Sequence, residues 1–231
     1  MTTKAQTVLG TVDGAALGFT LPHEHLVFDG SSIFSEPAAA SDKHMAHSPV
    51  GWKTLSWLRY HPYENLDNVR MFDEDEATSE LLLFLKAGGS TVVDVTIPGI
   101  GRDPEALCRI SRMTGVNIVM GTGLYTEPSL TQEYRDMSVD DIVAFFVRDV
   151  REGVGNSGIR AGIIGEIGCS WPVTEMELRS VRAAAIAQQE TGACISVHPG
   201  RNREAPFHLA EALREAGADL TRVIFCHTDA R

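Results

Sequence analysis

At 231 residues with 43% hydrophobic side chains, the chain is long enough for one large domain over residues 1–231 with a substantial core. Its formal net charge of −11 comes with no Lys/Arg block, which argues against a nucleic-acid surface or an anionic membrane as partner. No apolar run is long enough to span a membrane, and the first residues lack the basic-then-apolar order of a signal peptide.

The four cysteines (Cys108, Cys169, Cys194 and Cys226) form no CxxC pair and read as reduced, buried thiols of a soluble cytoplasmic protein. In chain order, residues 7–18 mix short apolar pieces with glycines and read as a small hairpin. Residues 19–26, FTLPHEHL, read as a strand carrying His23 and His25. Residues i and i+2 share one face of an extended strand, about 7 Å apart. Both imidazoles would lie on one side and could converge on a cation, with Glu24 on the other side. A pair of surface histidines near a turn explains the same spacing, so the rest of the chain must decide.

Residues 30–65 are irregular, with prolines, serines and His44, His47 and His61. So long an insertion reads as a functional lid or a partly helical excursion. Trp52, Leu55, Trp57 and Leu58 suggest a helical turn or two within it, and the three histidines read as loop residues. Residues 76–86 form an amphipathic helix with Leu81, Leu82, Leu83 and Leu85 on its core face, stopped by Gly88-Gly89.

A βα rhythm then sets in. A strand is expected over 91–96, and Asp103-Pro104 opens the next helix with a cap and a first-turn proline. A strand over 117–121 precedes a helix from Ser138, with Asp141 three residues on, to about residue 151. A strand over 161–167 precedes the capping box Thr174–Glu177 and a helix to about residue 190. Strands over 194–198 and 223–227 flank a helix over 205–216 that Gly217 ends. The strands are short continuous apolar runs, as helices packed on a parallel sheet require. Six strands result. The expected fold class is α/β, a (β/α)8 TIM barrel with about six βα units present. An open doubly wound sheet competes, but no GxGxxG follows the early strands and the chemical residues come from many strands.

Those residues fall at or near strand ends: His23 and His25, Glu166, His198 and His227. In a barrel these ends share one mouth. Four imidazoles and a carboxylate suit two borderline divalent ions such as zinc, although manganese, cobalt or iron fit the same donors. A carboxylate can bridge two metals about 3.5–4 Å apart, which suits attack by a shared hydroxide. Singly, His198 or His227 reads as a satisfied buried histidine. Glu166, between Gly165 and Ile167, would be costly to bury without a partner. The coincidence at several strand ends favours the metal.

HEHL at 23–26, GIIGEIGCSWP at 162–172, HPGR at 198–201 and CHTD at 226–229 closely resemble the phosphotriesterase family of the amidohydrolase superfamily, in its phosphotriesterase-related branch. The resemblance runs from about Gln6 to the last residue. It implies a binuclear centre with His23 and His25 on the more buried metal, His198 and His227 on the more exposed one, and Glu166 as the catalytic bridge. Many relatives bridge with a carbamylated lysine, but the lysines here (Lys4, Lys43, Lys53 and Lys86) all precede that strand, which points to the glutamate-bridged branch. The family also uses an aspartate on the eighth strand as ligand and proton acceptor. This chain stops at Arg231, and Asp229 reads as a loop acid or a residue behind the ligands, so a fragment of a longer enzyme is expected.

Tyr125 could hydrogen-bond a substrate oxygen or simply pack. Arg201 could pair with a carboxylate or sulfonate, or form a surface salt bridge. Trp171 and Cys169 read as packing. The expected activity is hydrolysis of a small amide or ester by two divalent ions, zinc by default, and a bridging hydroxide. The resemblance and Arg201 favour an N-acyl amide with an acidic group, such as an N-acyltaurine. A lactonase or phosphotriesterase-like esterase, and a non-catalytic metal-binding remnant, are the alternatives. The expected partner is a small-molecule substrate, with no nucleic acid and no membrane, and a homodimer left open.

Overall fold

In the computed structural model, which describes residues 3–230, the chain opens with an antiparallel hairpin of β1 (Lys4–Thr7) and β2 (Gly10–Asp13). After it comes β3 (Phe19–Glu24), and then a two-residue ribbon joins β4 (Phe28–Asp29) to β5 (Arg70–Met71). The long excursion between β4 and β5 contains α1 (Leu55–Leu58), the helical turn expected there. Helix α2 (Glu74–Lys86) leads into β6 (Gly89–Asp94), and α3 (Pro104–Thr114) into β7 (Asn117–Thr122). A short α4 (Gln132–Arg135) and α5 (Val139–Arg151) precede β8 (Ile163–Gly168), which α6 (Glu175–Thr191) connects to β9 (Cys194–His198). Helix α7 (Ala205–Glu215) and β10 (Val223–Phe225) complete the series.

The helix starts follow from local chemistry. Asp73 and Asp103 each accept backbone N–H bonds at the start of α2 and α3, and Pro104 sits in the first turn of α3. Reciprocal capping boxes, Ser138–Asp141 and Thr174–Glu177, start α5 and α6.

Strands β3, β6, β7, β8, β9 and β10 pair in parallel in chain order, with no reversal. The switch point that defines a doubly wound sheet is therefore missing. A flat sheet would hold β3 and β10 about 24 Å apart. Instead His23 Nδ1, on β3, lies 3.1 Å from the Sγ of Cys226, the residue after β10. The sheet curls as the wall of a barrel, and side chains from its two edges meet at the C-terminal ends of the strands.

Two apolar layers hold helices to the outside of this wall. Ile164, Ile167, Ile195 and Val197 pack against Ile142, Phe146 and an alanine-rich face of α6, and Val92, Ile118 and Met120 against Leu107 and Ile110 of α3. The hairpin covers the opposite end of the barrel, where the Val8 N–H donates to the Ile118 carbonyl at 2.8 Å. Gly162 permits that approach, since a Cβ there would lie 2.3 Å from the Gln6 carbonyl oxygen. All four cysteines are free thiols, and among the described residues no helix is long and apolar enough to cross a membrane.

Helix α2 departs from expectation. Leu81 is buried, but Leu82, Leu83 and Leu85 are exposed by 46%, 59% and 41%. Helical periodicity groups these residues, whereas burial requires something to pack on them. The helix leans on β6 and α3 with one side only, beside β3, which is an edge of the sheet.

The excursion between β4 and β5 is ordered by its own contacts. Asn65 is fully buried, donates to the Met45 and Ser48 carbonyls at 2.6 and 2.8 Å, and accepts from the Asn68 N–H at 2.8 Å. His61 stacks on Trp57 with ring centroids 4.5 Å apart and lies 3.1 Å from Glu64, while His44 Nδ1 bonds the Ser41 carbonyl at 2.9 Å. These histidines shape the loop, as a loop reading of them requires.

Candidate metal centre

Five residues from four parts of the sheet come together at the mouth of the barrel. His23 lies in β3, within a register shift of its pairing with β6 between Leu21 and Glu24, and His25 lies just past the strand's end. Glu166 lies inside β8, and His198 is the last residue of β9. His227, expected at a strand end, sits two residues beyond β10, and its φ of 55° puts it in a turn conformation uncommon for a residue with a Cβ. That turn brings its ring to 4.7 Å from His23 and 4.8 Å from His198, centroid to centroid.

Glu166 is the hub. Its carboxylate lies 2.9 Å from His198 Nδ1 and 3.5 Å from the Nε2 atoms of both His23 and His25. His23, Glu166 and His227 offer ligand atoms that all lie within 4.8 Å of one another. Glu24, between the two histidines, lines the groove against α2 and makes no ion pair or hydrogen bond with this cluster among the described residues.

Contacts behind the rings fix their orientation. His25 Nδ1 lies 3.0 Å from the Thr96 hydroxyl, which leaves Nε2 towards Glu166. The backbone of Thr96 is held in turn by Asp94, a fully buried carboxylate that accepts from the Leu26 and Thr96 N–H groups at 2.7 and 3.0 Å. Burial pushes Asp94 up to about 6 against the pull of those hydrogen bonds. On the other side, Cys226 Sγ lies 3.1 Å from both His23 Nδ1 and Ser196 Oγ. Partners of this kind hold a ligand's ring and tautomer.

The electrostatics fit a cation. Burial lowers His25 to about 4 against the attraction of Glu166, with His23, His198 and His227 lowering it further. Burial likewise lowers His23. Burial would raise Glu166, but the hydrogen bond with His198 and the charges of His198, His25 and His23 outweigh it and hold the group below its ordinary range. The result is a carboxylate 1% exposed whose ion-pair partners among the described residues are the imidazoles of His23, His25 and His198, the first two pushed towards the neutral form by burial. A negative charge so placed is costly unless a cation offsets it. Imidazole nitrogen with carboxylate oxygen is a donor set for borderline divalent ions.

Beside the cluster opens a cavity of about 430 Å³, reached by His198, Tyr125, Arg201 and Tyr63 and walled by Trp171 and Cys169. Tyr125 packs edge-on to His198, centroids 5.3 Å apart. Arg201 donates to the Tyr63 hydroxyl and lies over the Tyr63 ring. Trp171 and Cys169, expected to be packing residues, form part of the cavity wall. Their loop is fixed by the buried Glu177, whose carboxylate accepts from the backbone N–H of Ser170, Thr174 and Glu127 at 3.0, 3.1 and 3.1 Å. Gly200 lets the HPGR turn lie against the same loop, because a Cβ there would meet Ser170 backbone atoms at 2.6 Å. Among the described residues neither His44, His47 nor His61 reaches this cavity, and Asp229 is exposed in the terminal turn. Tyr63, Thr96 and Cys226 are the site contacts that sequence reasoning missed; only the hydroxyl and thiol chemistry of the last two offered any signal.

The sequence model of the Phosphotriesterase family matches residues 3–231. The chain belongs to the phosphotriesterase family. Members of this family use divalent metals. The chain is 42% identical over 228 residues to a phosphotriesterase-related protein of Nematostella vectensis, covering 97% of this chain and 65% of that protein. It is 40% identical over 227 residues to the N-acetyltaurine hydrolase of Xenopus tropicalis, covering 98% of this chain and 65% of the relative. Among solved structures, a resiniferatoxin-binding protein from Rhodobacter sphaeroides superimposes with a TM-score of 0.94 at 40% identity, over 97% of this chain and 63% of that one. The chain thus spans about two-thirds of the length of these family members.

Proposed function

We propose that this chain carries the metal-binding part of a hydrolase that cleaves a small N-acyl amide bearing an acidic group, with N-acetyltaurine as the first substrate to try. One observation carries the reading: the buried Glu166 carboxylate with three imidazoles within 3.5 Å, one of which, His198, lines a cavity that Arg201 also reaches.

His23 and His25 would hold one divalent ion, His198 and His227 a second, and Glu166 would bridge them, with zinc the default from donor type. Such ions supply Lewis acidity, which makes a water nucleophilic near neutral pH and polarises the scissile carbonyl. The chain's own side chains do the rest. Tyr125, edge-on to His198, would hydrogen-bond a substrate oxygen, and Arg201 would pair with a terminal sulfonate or carboxylate, whose paired oxygens match a guanidinium. A cavity of about 430 Å³ is in the range of small-molecule sites. The N-acetyltaurine hydrolase of Xenopus tropicalis, at 40% identity, supports an amide of this kind.

Hydrolysis of N-acetyltaurine with zinc, followed by release of free taurine, tests the reading. Turnover that needs divalent metal and disappears in Glu166→Ala is the expected result. Full activity in Glu166→Ala would sink it.

A further inference from the structure

Arg201 is held in an uncommon way for a surface cation of an acidic protein. The chain has 31 acidic and 20 basic side chains, yet among the described residues no carboxylate lies within ion-pair distance of Arg201. Its partner is Tyr63, 138 positions earlier in the chain, which accepts a hydrogen bond from the guanidinium and presents its ring face 5.3 Å from it.

Tyr63 is itself well anchored. The Ser35 N–H donates to its carbonyl at 3.0 Å, and Asn68 Nδ2 donates to the neighbouring Pro62 carbonyl at 2.9 Å. Two residues on, the buried Asn65 ties the same segment to the Met45 and Ser48 carbonyls. The excursion between β4 and β5 thus delivers one aromatic ring to the cavity that His198, Tyr125 and Arg201 line.

A neutral aromatic partner has a particular consequence for a guanidinium. Stacking and one hydrogen bond remove rotamer freedom without neutralising the charge, and most of the N–H donors stay available. A carboxylate in the place of Tyr63 would order Arg201 equally well but cancel its pull on an anion. We propose that Tyr63 is a positioning residue that determines specificity: it preorganises Arg201 to capture the sulfonate or carboxylate of the substrate. This rests on the hydrolase reading above and names the element that selects for charge. Preorganisation of this sort lowers the entropic cost of binding, so its loss falls on affinity.

The test compares N-acetyltaurine with N-acetylethanolamine, a neutral analogue of similar length, on the metal-loaded chain. Binding is measured by calorimetry and turnover by product release. Tyr63→Phe keeps the ring and loses the hydroxyl, and should raise the Kd and KM for N-acetyltaurine about 3–10-fold, with the change on KM rather than kcat. Tyr63→Ala should raise them by roughly 30-fold or more, while the neutral amide shifts less than about two-fold. In an Arg201→Gln background, Tyr63→Phe should add nothing, because the tyrosine acts through the arginine. Equal losses for both amides, an effect that persists without Arg201, or no measurable binding of N-acetyltaurine would overturn the proposal. Absent turnover, with charge-selective binding that still depends on Tyr63, would overturn the hydrolase reading and leave the clamp standing. Brisk turnover insensitive to Tyr63 would do the reverse.

Discussion

Under α5, Asp149 is buried against a permanent cation: Arg102 lies 2.8 Å away, and the Thr122 hydroxyl donates to it at 2.8 Å. At the barrel mouth Glu166 is as deeply buried, but its neighbours are imidazoles at 2.9 to 3.5 Å. The first arrangement neutralises its charge within the chain, with a guanidinium that the fold itself supplies. The second leaves the charge among imidazoles, of which His23 and His25 are pushed towards the neutral form by burial. A buried carboxylate with its own arginine is a structural pair; one ringed only by imidazoles calls for a cation from outside.

The difference can be broken most forcefully at Arg102. Arg102→Met removes the close, buried counter-charge of Asp149, 0% exposed, leaving only the half-exposed Arg148 at 3.7 Å, and should cost about 3–5 kcal/mol in urea unfolding. Metal bound per folded molecule should not change. A loss below about 1 kcal/mol would show that this pair is not structural in the sense argued.

Glu166→Gln tests the other half. Zinc at about 100 times its Kd should stabilise the parent chain by about 2.7 kcal/mol, and that increment should vanish in the variant. The metal-free stability of Glu166→Gln should stay within about 1 kcal/mol of the parent or rise, since a buried charge is removed. A metal-free loss as large as that of Arg102→Met would make Glu166 a structural acid and erase the contrast.

Thr96→Val sharpens the comparison at one remove. It deletes the hydroxyl beside His25 Nδ1 while keeping the side chain's shape, and should weaken zinc about 10–100-fold in a competition titration. Unchanged affinity would show that the ring is positioned by other contacts.

The smallest effect belongs to Glu74 and Arg109, an exposed pair joining α2 to α3 at 2.7 Å. The hydrogen bond from Arg109 outweighs slight desolvation and holds Glu74 below its ordinary value. A lowered carboxylate stabilises the fold above its unfolded pKa, and the contribution fades as pH falls through the lower folded value. Glu74→Gln should therefore lower Tm by less than about 2 °C at neutral pH and not at all in acid, read from melting curves at both. A larger loss in acid would reverse the sign.

Much of the fold was legible because local rules act residue by residue. Asp103-Pro104, Ser138 with Asp141 and Thr174 with Glu177 start helices by hydrogen bonds spanning three residues, and the βα rhythm follows from them. The gathering of His23, His25, Glu166, His198 and His227 was legible for a topological reason: in consecutive parallel strands, C-terminal ends share one mouth. What escaped depends on contacts that no local pattern encodes. Cys226 reaches His23 across 203 positions and Tyr63 reaches Arg201 across 138, the latter from a segment with no periodicity. Periodicity also marked Leu82, Leu83 and Leu85 as apolar without telling whether anything covers them. Alternation placed His23 and His25 on the correct face, but the register shift within β3 and the backbone conformation that turns the chain at His227 are invisible in composition.

The central claim, that the imidazoles around Glu166 form a two-ion centre, is tested most directly by anomalous diffraction at the zinc edge from crystals of the zinc-loaded chain. Two peaks flanking the Glu166 carboxylate are expected, one on the His23 and His25 side and one on the His198 and His227 side. Crystals showing zinc elsewhere, with none at these side chains, would contradict it.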